Sequence, residues 1–343
     1  MKAARLHQPR GSLQIDEIDL PQPGPGEVLI RTEACGLCHS DLFIGGLSEL
    51  PRTPLTLGHE AIGSIEQVGR EVHDCAPGDR VAVTYLHASC GACDDCRAGR
   101  AELCPKQLNT GYHVDGAFAE YVVARAGFLV KVPADLDAVE AAPLCCAGWT
   151  AYHAVTAAGL ESGAWLAIFG IGGLGQLGIQ FARLAGLRVA AIDVSAEKLA
   201  IAKTLGAELT IDATNENPAR SLKKAISGAH GAISFVASAG AVRGAFSSLR
   251  RAGVLVLVGL ETESFELPLV DVVLKAIRIQ GSFLGKQDEL RQIFAMAQNR
   301  QIRIETEPCA LEDLPRMMER METGQLKGRA VVRFDHRPPS GMG

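Results

Sequence analysis

The sequence predicts an α/β fold in which a β-rich, barrel-like region is followed by a doubly wound parallel sheet. Two observations predict it. The first part of the chain alternates apolar and polar residues in short runs broken by proline and glycine, as in strands joined by turns. From about residue 150 to residue 284, short apolar runs alternate with helical stretches, which favours parallel strands connected by helices.

The N-terminal alternation is clearest at residues 27–32 and continues through 63–69 and 78–83. After residue 285 the predicted elements are an amphipathic helix at 288–299, a strand, a second helix at 311–322 and an apolar segment at 328–334. We expect this C-terminal part to return and complete the first domain. The predicted domains are therefore 1–150 with 285–343, and 151–284. Residues 337–343 are expected to form a disordered end.

Six apolar runs predict the strands of the parallel sheet, at 165–169, 188–193, 208–211, 232–236, 253–258 and 277–282. Helices are predicted at 174–185 and 196–205, and Ser195 is placed to cap the second of them. Six strands joined by helices predict a doubly wound sheet.

Length and composition exclude several classes of protein. At roughly 100–200 residues per domain, 343 residues suggest two domains, and 47% hydrophobic with 21% charged residues excludes wholesale disorder. A net charge of -5 gives no overall attraction for nucleic acid or an anionic membrane. No apolar run reaches the roughly 20 residues that a membrane helix needs, and the N-terminus lacks a signal-peptide pattern. We expect a cytoplasmic protein without nucleic-acid or membrane partners.

Four of the ten cysteines fall within fifteen residues, at Cys90, Cys93, Cys96 and Cys104. Thiols stay reduced in the cytosol, so this cluster indicates a metal site before a disulfide. Zn²⁺ accepts four thiolates in a tetrahedron, and two-residue spacers let successive sulfurs turn towards one ion. The spacing predicts a closed structural zinc site. The alternative is four unrelated cysteines.

A second group of metal-binding residue types is dispersed along the chain, at Cys38, at His59 followed by Glu60, and at the Cys145–Cys146 pair. A catalytic zinc uses three protein ligands from distant segments, which leaves one position open. Taken singly these residues are weak evidence, because a lone cysteine is often a small core residue and a lone histidine a structural one.

A glycine-rich loop follows the first strand of the predicted parallel sheet and opens a helix. Its glycines are Gly170, Gly172 and Gly175, the spacing at which a tight turn brings the backbone against a pyrophosphate. Asp193 lies 18 residues past Gly175, where a carboxylate accepts hydrogen bonds from ribose hydroxyls. The pattern predicts a Rossmann dinucleotide-binding domain rather than a merely structural loop. The carboxylate of Asp193 repels a 2′-phosphate and no arginine follows it, which favours NAD over NADP.

Together these motifs resemble the zinc-dependent medium-chain alcohol dehydrogenases, particularly their tetrameric bacterial and yeast-like branch. The resemblance runs nearly end to end. It is carried by the segments 1–4, 58–60, 90–104, 109–112, 147–152, 170–175 and 328–329.

The resemblance implies two zinc ions per chain, NAD as cofactor, and hydride transfer between NAD(H) and a small alcohol/aldehyde pair. It also implies a homo-oligomer, either a tetramer or a dimer. The implied catalytic zinc ligands are Cys38, His59 and Cys146, with Glu60 able to approach the metal, and the structural zinc falls on the four-cysteine cluster. Asp41 would hydrogen-bond His59, or alternatively cap a helix. Ser40 would hydrogen-bond the substrate oxygen and take its proton.

The resemblance also assigns cofactor contacts. Those to the pyrophosphate and ribose fall on His39, Gly172, Gly173, Leu174, Asp193, Lys198 and Arg329, and those near the nicotinamide on Thr150, Val258, Ser282 and Phe283. Lys198 and Arg329 could equally be ordinary solvated charges.

One position departs from the family pattern, because Phe43 stands where the family carries a proton-relay histidine. Phenylalanine cannot carry a proton. Either the cofactor ribose releases the proton directly to water, or His39 takes the place of the relay histidine. The third alternative is that alcohol oxidation is slow and the enzyme works mainly as an aldehyde reductase. Phe43, with Tyr85, Tyr112 and Trp149, could also favour apolar or aromatic substrates, or Phe43 simply packs a turn.

Three other functions are weighed against alcohol oxidation. The same fold can carry a zinc-containing reductase of conjugated carbonyls, since fold does not fix the reaction. A non-catalytic dinucleotide-binding protein is the second, but no zinc ligand has been lost. A zinc-finger module for nucleic acid is the third, and the acidic net charge argues against it.

Overall fold

The computed structural model describes residues 1–260, 263–326 and 328–335, so the predicted disordered end at 337–343 lies outside the described residues. The chain divides into two compact units. One consists of Met1–Cys146 and Lys286–Gly343, and the other of Ala147–Gly285. Within the described ranges, no helix combines the length and the apolar character needed to cross a membrane.

The strands in chain order are β1 (Lys2–Leu6), β2 (Gln14–Glu17), β3 (Glu27–Gly36), β4 (Leu55–Thr56), β5 (Glu60–Val68), β6 (Arg80–Val83), β7 (Leu86–Ala88), β8 (Leu108–Asn109), β9 (Tyr121–Arg125), β10 (Val130–Lys131), β11 (Trp165–Phe169), β12 (Arg188–Asp193), β13 (Leu209–Asp212), β14 (Ala229–Ser234), β15 (Leu249–Leu257), β16 (Arg278–Gly281), β17 (Thr306–Cys309) and β18 (Arg329–Arg333).

The α-helices are α1 (His39–Gly45), α2 (Asp94–Arg97), α3 (Ala138–Ala141), α4 (Ala147–Ala157), α5 (Gly173–Leu184), α6 (Ala196–Thr204), α7 (Pro218–Ile226), α8 (Ala239–Ser247), α9 (Leu269–Lys275), α10 (Gln287–Gln298) and α11 (Leu314–Glu322). Short 3-10 turns occur at Ala101–Leu103, Ala126–Phe128, Ala142–Cys145 and Leu311–Asp313.

The first unit is built on β-sheets. Its largest sheet has the order β10-β6-β5-β3-β18-β17, with β9 also paired to β3, and smaller sheets join β2-β1-β4 and β7-β8. The C-terminal strand β18 runs antiparallel to β3, with Val332 opposite Cys35. Strand β3 is buried on both faces, since Val28, Leu29 and Ile30 are all inaccessible. A strand covered on both faces carries consecutive apolar residues, so the alternation expected at 27–32 fails at these three positions.

The second unit contains one parallel sheet in the order β13-β12-β11-β14-β15-β16. The chain starts in the middle, winds outwards to one edge and then to the other, which confirms the predicted doubly wound α/β fold. Ser195 caps α6 by accepting a hydrogen bond from the Lys198 backbone N–H. Strand β14 begins three residues earlier than predicted, because small residues such as Ala229 and Gly231 carry no strong strand signal in the sequence.

Candidate active site

Four residues from three separate segments of the first unit converge at one buried point. They are Cys38, His59, Glu60 and Cys146, whose ligand atoms all lie within 4.8 Å of one another. Cys38 caps the N-terminus of α1, just after β3 ends, and His59 and Glu60 stand at the start of β5. Cys146 follows the 3-10 turn Ala142–Cys145. The pairing of β3 with β5, which places Gly36 opposite Glu60, brings the first two segments together.

The geometry and the unpaired atoms of this cluster fit a zinc ion. The Sγ atoms of Cys38 and Cys146 are 3.9 Å apart, and two thiolates on one tetrahedral zinc, each at about 2.3 Å, lie about 3.8 Å apart. Both ring nitrogens of His59 and Oε2 of Glu60 are buried without a hydrogen-bond partner. Buried polar atoms left this way cost free energy unless a ligand satisfies them. A bound cation supplies that partner.

The protonation of Cys38 also suits a metal ligand. The hydrogen bond with Cys146 and the neighbouring His59 hold the pKa of the Cys38 thiol well below its usual range, against the opposing effect of burial. A thiol with a lowered pKa is a thiolate at neutral pH, and the thiolate is the form that binds metal.

Asp41 caps a helix and faces His59 without a hydrogen bond to it. Its Oδ2 accepts a hydrogen bond from the Cys38 backbone N–H at 2.9 Å, which caps α1. Its Oδ1 accepts one from the Gly58 N–H at 3.2 Å and lies 3.3 Å from Nδ1 of His59, an ion-pair distance without hydrogen-bond geometry. One fully buried carboxylate therefore holds Cys38 and faces the ring of His59.

The neighbouring cysteine of the pair points elsewhere. The Cys145 Sγ lies 3.7 Å from the carbonyl oxygen of Ala61 and 3.8 Å from that of Ala141. Burial raises the pKa of the Cys145 thiol well above its usual range, so it stays neutral. The structure brings Cys146, and not Cys145, to the cluster.

Arg329 is a buried residue rather than a solvated charge. It is 3% exposed and forms an ion pair with Oε1 of Glu60, so the alternative of a solvated charge is wrong for this residue. Burial raises the pKa of Glu60 to about 8, although Arg329 opposes the shift. Sequence reasoning missed the pair because 269 residues separate its members. A charged residue inside an apolar strand, as at 329–332, is the signal that such a partner exists.

Other residues near the cluster differ in exposure. The Ser40 Oγ lies 3.6 Å from the Cys38 Sγ, and the Tyr85 ring stands edge-on to His59 with centroids 5.1 Å apart. His39 is exposed at the start of α1, and Phe43, in the last turn of that helix, is 41% exposed. Phe43 is therefore not a core residue.

The second metal cluster consists of Cys90, Cys93, Cys96 and Cys104, whose sulfurs also lie within 4.8 Å of one another. The sulfurs accept hydrogen bonds from backbone N–H groups, which stabilise the thiolate form. The Cys90 N–H donates to the Cys104 sulfur at 3.4 Å, the Cys93 N–H to the Cys90 sulfur at 3.3 Å, and the Cys96 N–H to the Cys93 sulfur at 3.5 Å. Gly91, at φ 68°, makes the left-handed turn that they need. Four thiolates around one point fit a closed zinc site.

The glycine-rich loop of the second unit joins β11 to α5. Gly170 has φ 89°, which a side chain rarely adopts, and a Cβ on Gly175 would lie 2.0 Å from the Gly170 carbonyl oxygen. At Gly172, the N-cap of α5, a Cβ would meet nothing within 4 Å, so the backbone there is open to a ligand. An open loop at a helix N-terminus fits a pyrophosphate.

Asp193 fixes this loop from the end of the adjacent strand β12. Its Oδ2 accepts a hydrogen bond from the Ile171 N–H at 2.6 Å, and its Oδ1 accepts from the N–H groups of Val194 and Ser195. Val258 and Ser282 follow the carboxyl ends of β15 and β16 in the same sheet. The Ser282 Oγ is buried without a partner. Thr150, on α4, is buried, and Lys198 lies in the first turn of α6.

Comparison with known proteins decides the family. Residues 24–134 match the family model described as alcohol dehydrogenase GroES-like domain, and residues 173–299 match zinc-binding dehydrogenase. An alcohol dehydrogenase of Moraxella sp. (strain TAE123) is 42% identical over 336 residues, 97% of this chain and 99% of the relative. The chain belongs to the zinc-dependent medium-chain alcohol dehydrogenase family.

Solved structures of the family extend the comparison. The alcohol dehydrogenase of the archaeon Aeropyrum pernix has a TM-score of 0.90 and 35% identity, covering 97% of this chain and all of that one. The acetophenone reductase of Geotrichum candidum, solved in complex with NAD, has a TM-score of 0.87 and 29% identity, with 97% of each chain covered. These matches confirm the resemblance and the fold that the sequence predicts for this zinc-dependent dehydrogenase.

Proposed function

We propose that this chain transfers a hydride between NAD(H) and an alcohol/aldehyde pair, using one catalytic and one structural zinc ion. The observation that carries the proposal is the buried cluster of Cys38, His59, Glu60 and Cys146. Two thiolates and an imidazole hold a tetrahedral ion, and Glu60, which is also paired with Arg329, leaves the fourth position to substrate. The two compact units then serve as the zinc-binding and the NAD-binding domain. A cytoplasmic location is part of the proposal, because thiolate zinc ligands stay reduced there.

The residues have separate roles in this proposal. Zinc supplies Lewis-acid stabilisation of negative charge on the substrate oxygen, and NAD supplies the hydride acceptor. Ser40 would hydrogen-bond the substrate oxygen and relay its proton, because the hydroxyl accepts that proton as it gives its own to the cofactor ribose, which releases a proton to water. Asp41 orients His59 through the ring nitrogen that it faces. The Ile171–Gly173 backbone and the α5 N-terminus hold the pyrophosphate, and His39, Leu174 and Lys198 add contacts to it. Thr150, Val258, Ser282 and Phe283 surround the nicotinamide.

The activity is tested by a substrate screen that follows NADH absorbance. We expect turnover of primary or aromatic alcohols with NAD and of their aldehydes with NADH, and Tyr85, edge-on to His59, favours apolar and aromatic substrates. Reduction of enals at the carbon–carbon double bond, without oxidation of saturated alcohols, would instead support a conjugated-carbonyl reductase. Binding of NADH without any turnover would indicate a non-catalytic protein.

Replacing Asp193 by asparagine is expected to weaken the preference for NADH over NADPH by about 30-fold or more, a change of roughly 2 kcal/mol. The amide keeps an oxygen for the Ile171 N–H but loses the charge that repels a 2′-phosphate. The measurement is kcat/KM for both cofactors. Asp212→Asn, at the end of the neighbouring strand β13, is the matched control. A parent protein that already prefers NADPH would contradict the proposal.

We also propose that two copies of the chain associate through the edge of the parallel sheet. Strand β16 is one of the two edge strands of this sheet, and all of its residues are exposed. Beside it in the sequence, α9 exposes four apolar side chains, which are Leu269, Val270, Val273 and Leu274, each at least 65% accessible. An apolar helix next to an open strand edge is a surface that a second, identical edge covers.

Val273→Asp is expected to convert the oligomer to smaller species, because it places a charge in this apolar surface. Light scattering after size exclusion measures the mass. Leu184→Asp, an exposed apolar position on α5, is the matched control and should leave the mass unchanged. An unchanged mass for Val273→Asp would show that the chain associates elsewhere or not at all.

A further inference from the structure

Arg80, at the start of β6, lines a polar groove of about 800 Å³ in the first unit. The groove is also lined by residues 134–139, which follow β10 and include the first residues of α3. Neither Arg80 nor the segment 134–139 contributes a ligand to the two metal clusters. The contacts of Arg80 nevertheless connect β6 to the chain segment that ends in a proposed zinc ligand.

The guanidinium of Arg80 has three fixed partners. Its Nη1 donates to the carbonyl oxygens of Pro133 at 3.0 Å and Leu136 at 2.6 Å. Its Nε donates to Oε2 of Glu33 at 2.9 Å, and Oε1 of Glu33 accepts a hydrogen bond from the Ser64 hydroxyl at 2.7 Å. The Arg80 side chain is only 16% exposed. A planar guanidinium held by a carboxylate and two carbonyls has little freedom to move.

The backbone of Arg80 holds the same segment. Its carbonyl oxygen accepts a hydrogen bond from the Val132 N–H at 3.0 Å. Main chain and side chain together thus fix the segment 132–136 against β6. A lysine at this position has one ammonium group, which cannot reproduce the fork that reaches both carbonyls and Glu33.

The fixed segment leads directly to the metal cluster. Asp137 caps α3 by accepting hydrogen bonds from the N–H groups of Val139 and Glu140. Helix α3 continues into the buried turn Ala142–Cys145, and Cys146 follows. The Pro133 and Leu136 carbonyls therefore mark the point at which the ligand-bearing segment is anchored to the sheet.

We propose that Arg80 is a positioning residue for the catalytic zinc: it anchors residues 133–136 so that Cys146 is held at ligand distance from Cys38. The proposal rests on the assignment of these two cysteines as zinc ligands. It assigns a role to a charge network that touches neither the metal nor the substrate. Arg80→Gln removes the three-way anchor without replacing any of the ligand residues.

The test measures zinc release to an excess of a chromogenic chelator. The parent protein is expected to release zinc in two phases, and the phase absent from Cys38→Ser belongs to the catalytic site. Arg80→Gln should speed that phase about tenfold, which is the lower end of the effect of losing a supporting contact. The other phase should not change, and added zinc should restore alcohol oxidation. In Arg80→Lys, the rate of this phase should lie between those of the parent and Arg80→Gln.

Arg31→Gln is the matched control. Arg31 lines the same groove and pairs with Glu66, yet it makes no hydrogen bond to the segment 133–136 among the described contacts. It should leave both release phases unchanged. Equal acceleration of both phases in Arg80→Gln, or acceleration of neither, would overturn the positioning role. A parent protein with no Cys38-dependent phase would overturn the zinc assignment as well.

Discussion

Cys38→Ser is expected to lose one of two zinc ions and to lower the rate of alcohol oxidation by about 10³-fold or more. Lewis-acid stabilisation by a metal contributes several kcal/mol, and each 1.36 kcal/mol is tenfold in rate. A hydroxyl is a poor replacement for the thiolate that the lowered pKa of Cys38 provides. The fold should survive, because serine retains the size of the side chain and the Cys38 N–H still donates to Asp41.

Zinc content and kcat/KM are measured on the same preparation, with circular dichroism as the check on folding. Cys145→Ala is the matched control, since that sulfur is equally buried but points to the carbonyls of Ala61 and Ala141. It should retain both zinc ions and most of the activity. Full activity in Cys38→Ser, or loss of zinc in Cys145→Ala, would contradict the assignment of ligands.

Cys93→Ser is expected to lower the melting temperature by about 3–6 °C with a smaller effect on turnover. A structural zinc contributes to folding outright, and a loss of roughly 2–4 kcal/mol shifts the melting temperature by this much in a chain of this size. The segment 90–104, which carries this cluster, lies largely at the surface. Cys90 is exposed, and Cys93 and Cys96 are only partly buried.

Cys75→Ser is the control for this variant, because Cys75 is half-buried and belongs to neither cluster. Its melting temperature should stay within about 1–2 °C of the parent, as for most surface substitutions. Calorimetry with and without chelator completes the comparison. If chelator lowers the melting temperature of the parent to that of Cys93→Ser and no further, the chelator and the substitution remove the same stabilising contribution. A Cys93→Ser protein with the melting temperature of the parent would exclude a structural role for a metal at the four-cysteine cluster.

Local sequence patterns predicted much of this structure. Strands β11 and β12 begin and end at the predicted residues, because the turn-forming residues that flank a short apolar run define both ends of the strand. The glycine loop and the capping Ser195 could be placed for the same reason, since each depends on contacts within a few residues. The four-cysteine cluster is likewise local, because all four of its ligands lie within the segment 90–104.

What the sequence could not show depends on contacts between distant residues. The ion pair of Glu60 with Arg329 and the anchoring of Pro133 by Arg80 each join segments that only the paired sheet brings together. The start of α11 at Leu314 also differs from the predicted 311, because Leu311–Asp313 form a 3-10 turn first. Side-chain orientation within the Cys145–Cys146 pair was open until the backbone placed each sulfur.

The central claim, a zinc-dependent NAD-linked alcohol dehydrogenase, is tested most directly by following zinc content and NADH formation together as chelator is dialysed in and zinc is returned. We predict two zinc ions per chain at the start, loss of turnover as the ion at Cys38, His59 and Cys146 leaves, and recovery when zinc is restored. Oxidation of alcohol by NAD at an unchanged rate after both ions have been removed would contradict the claim.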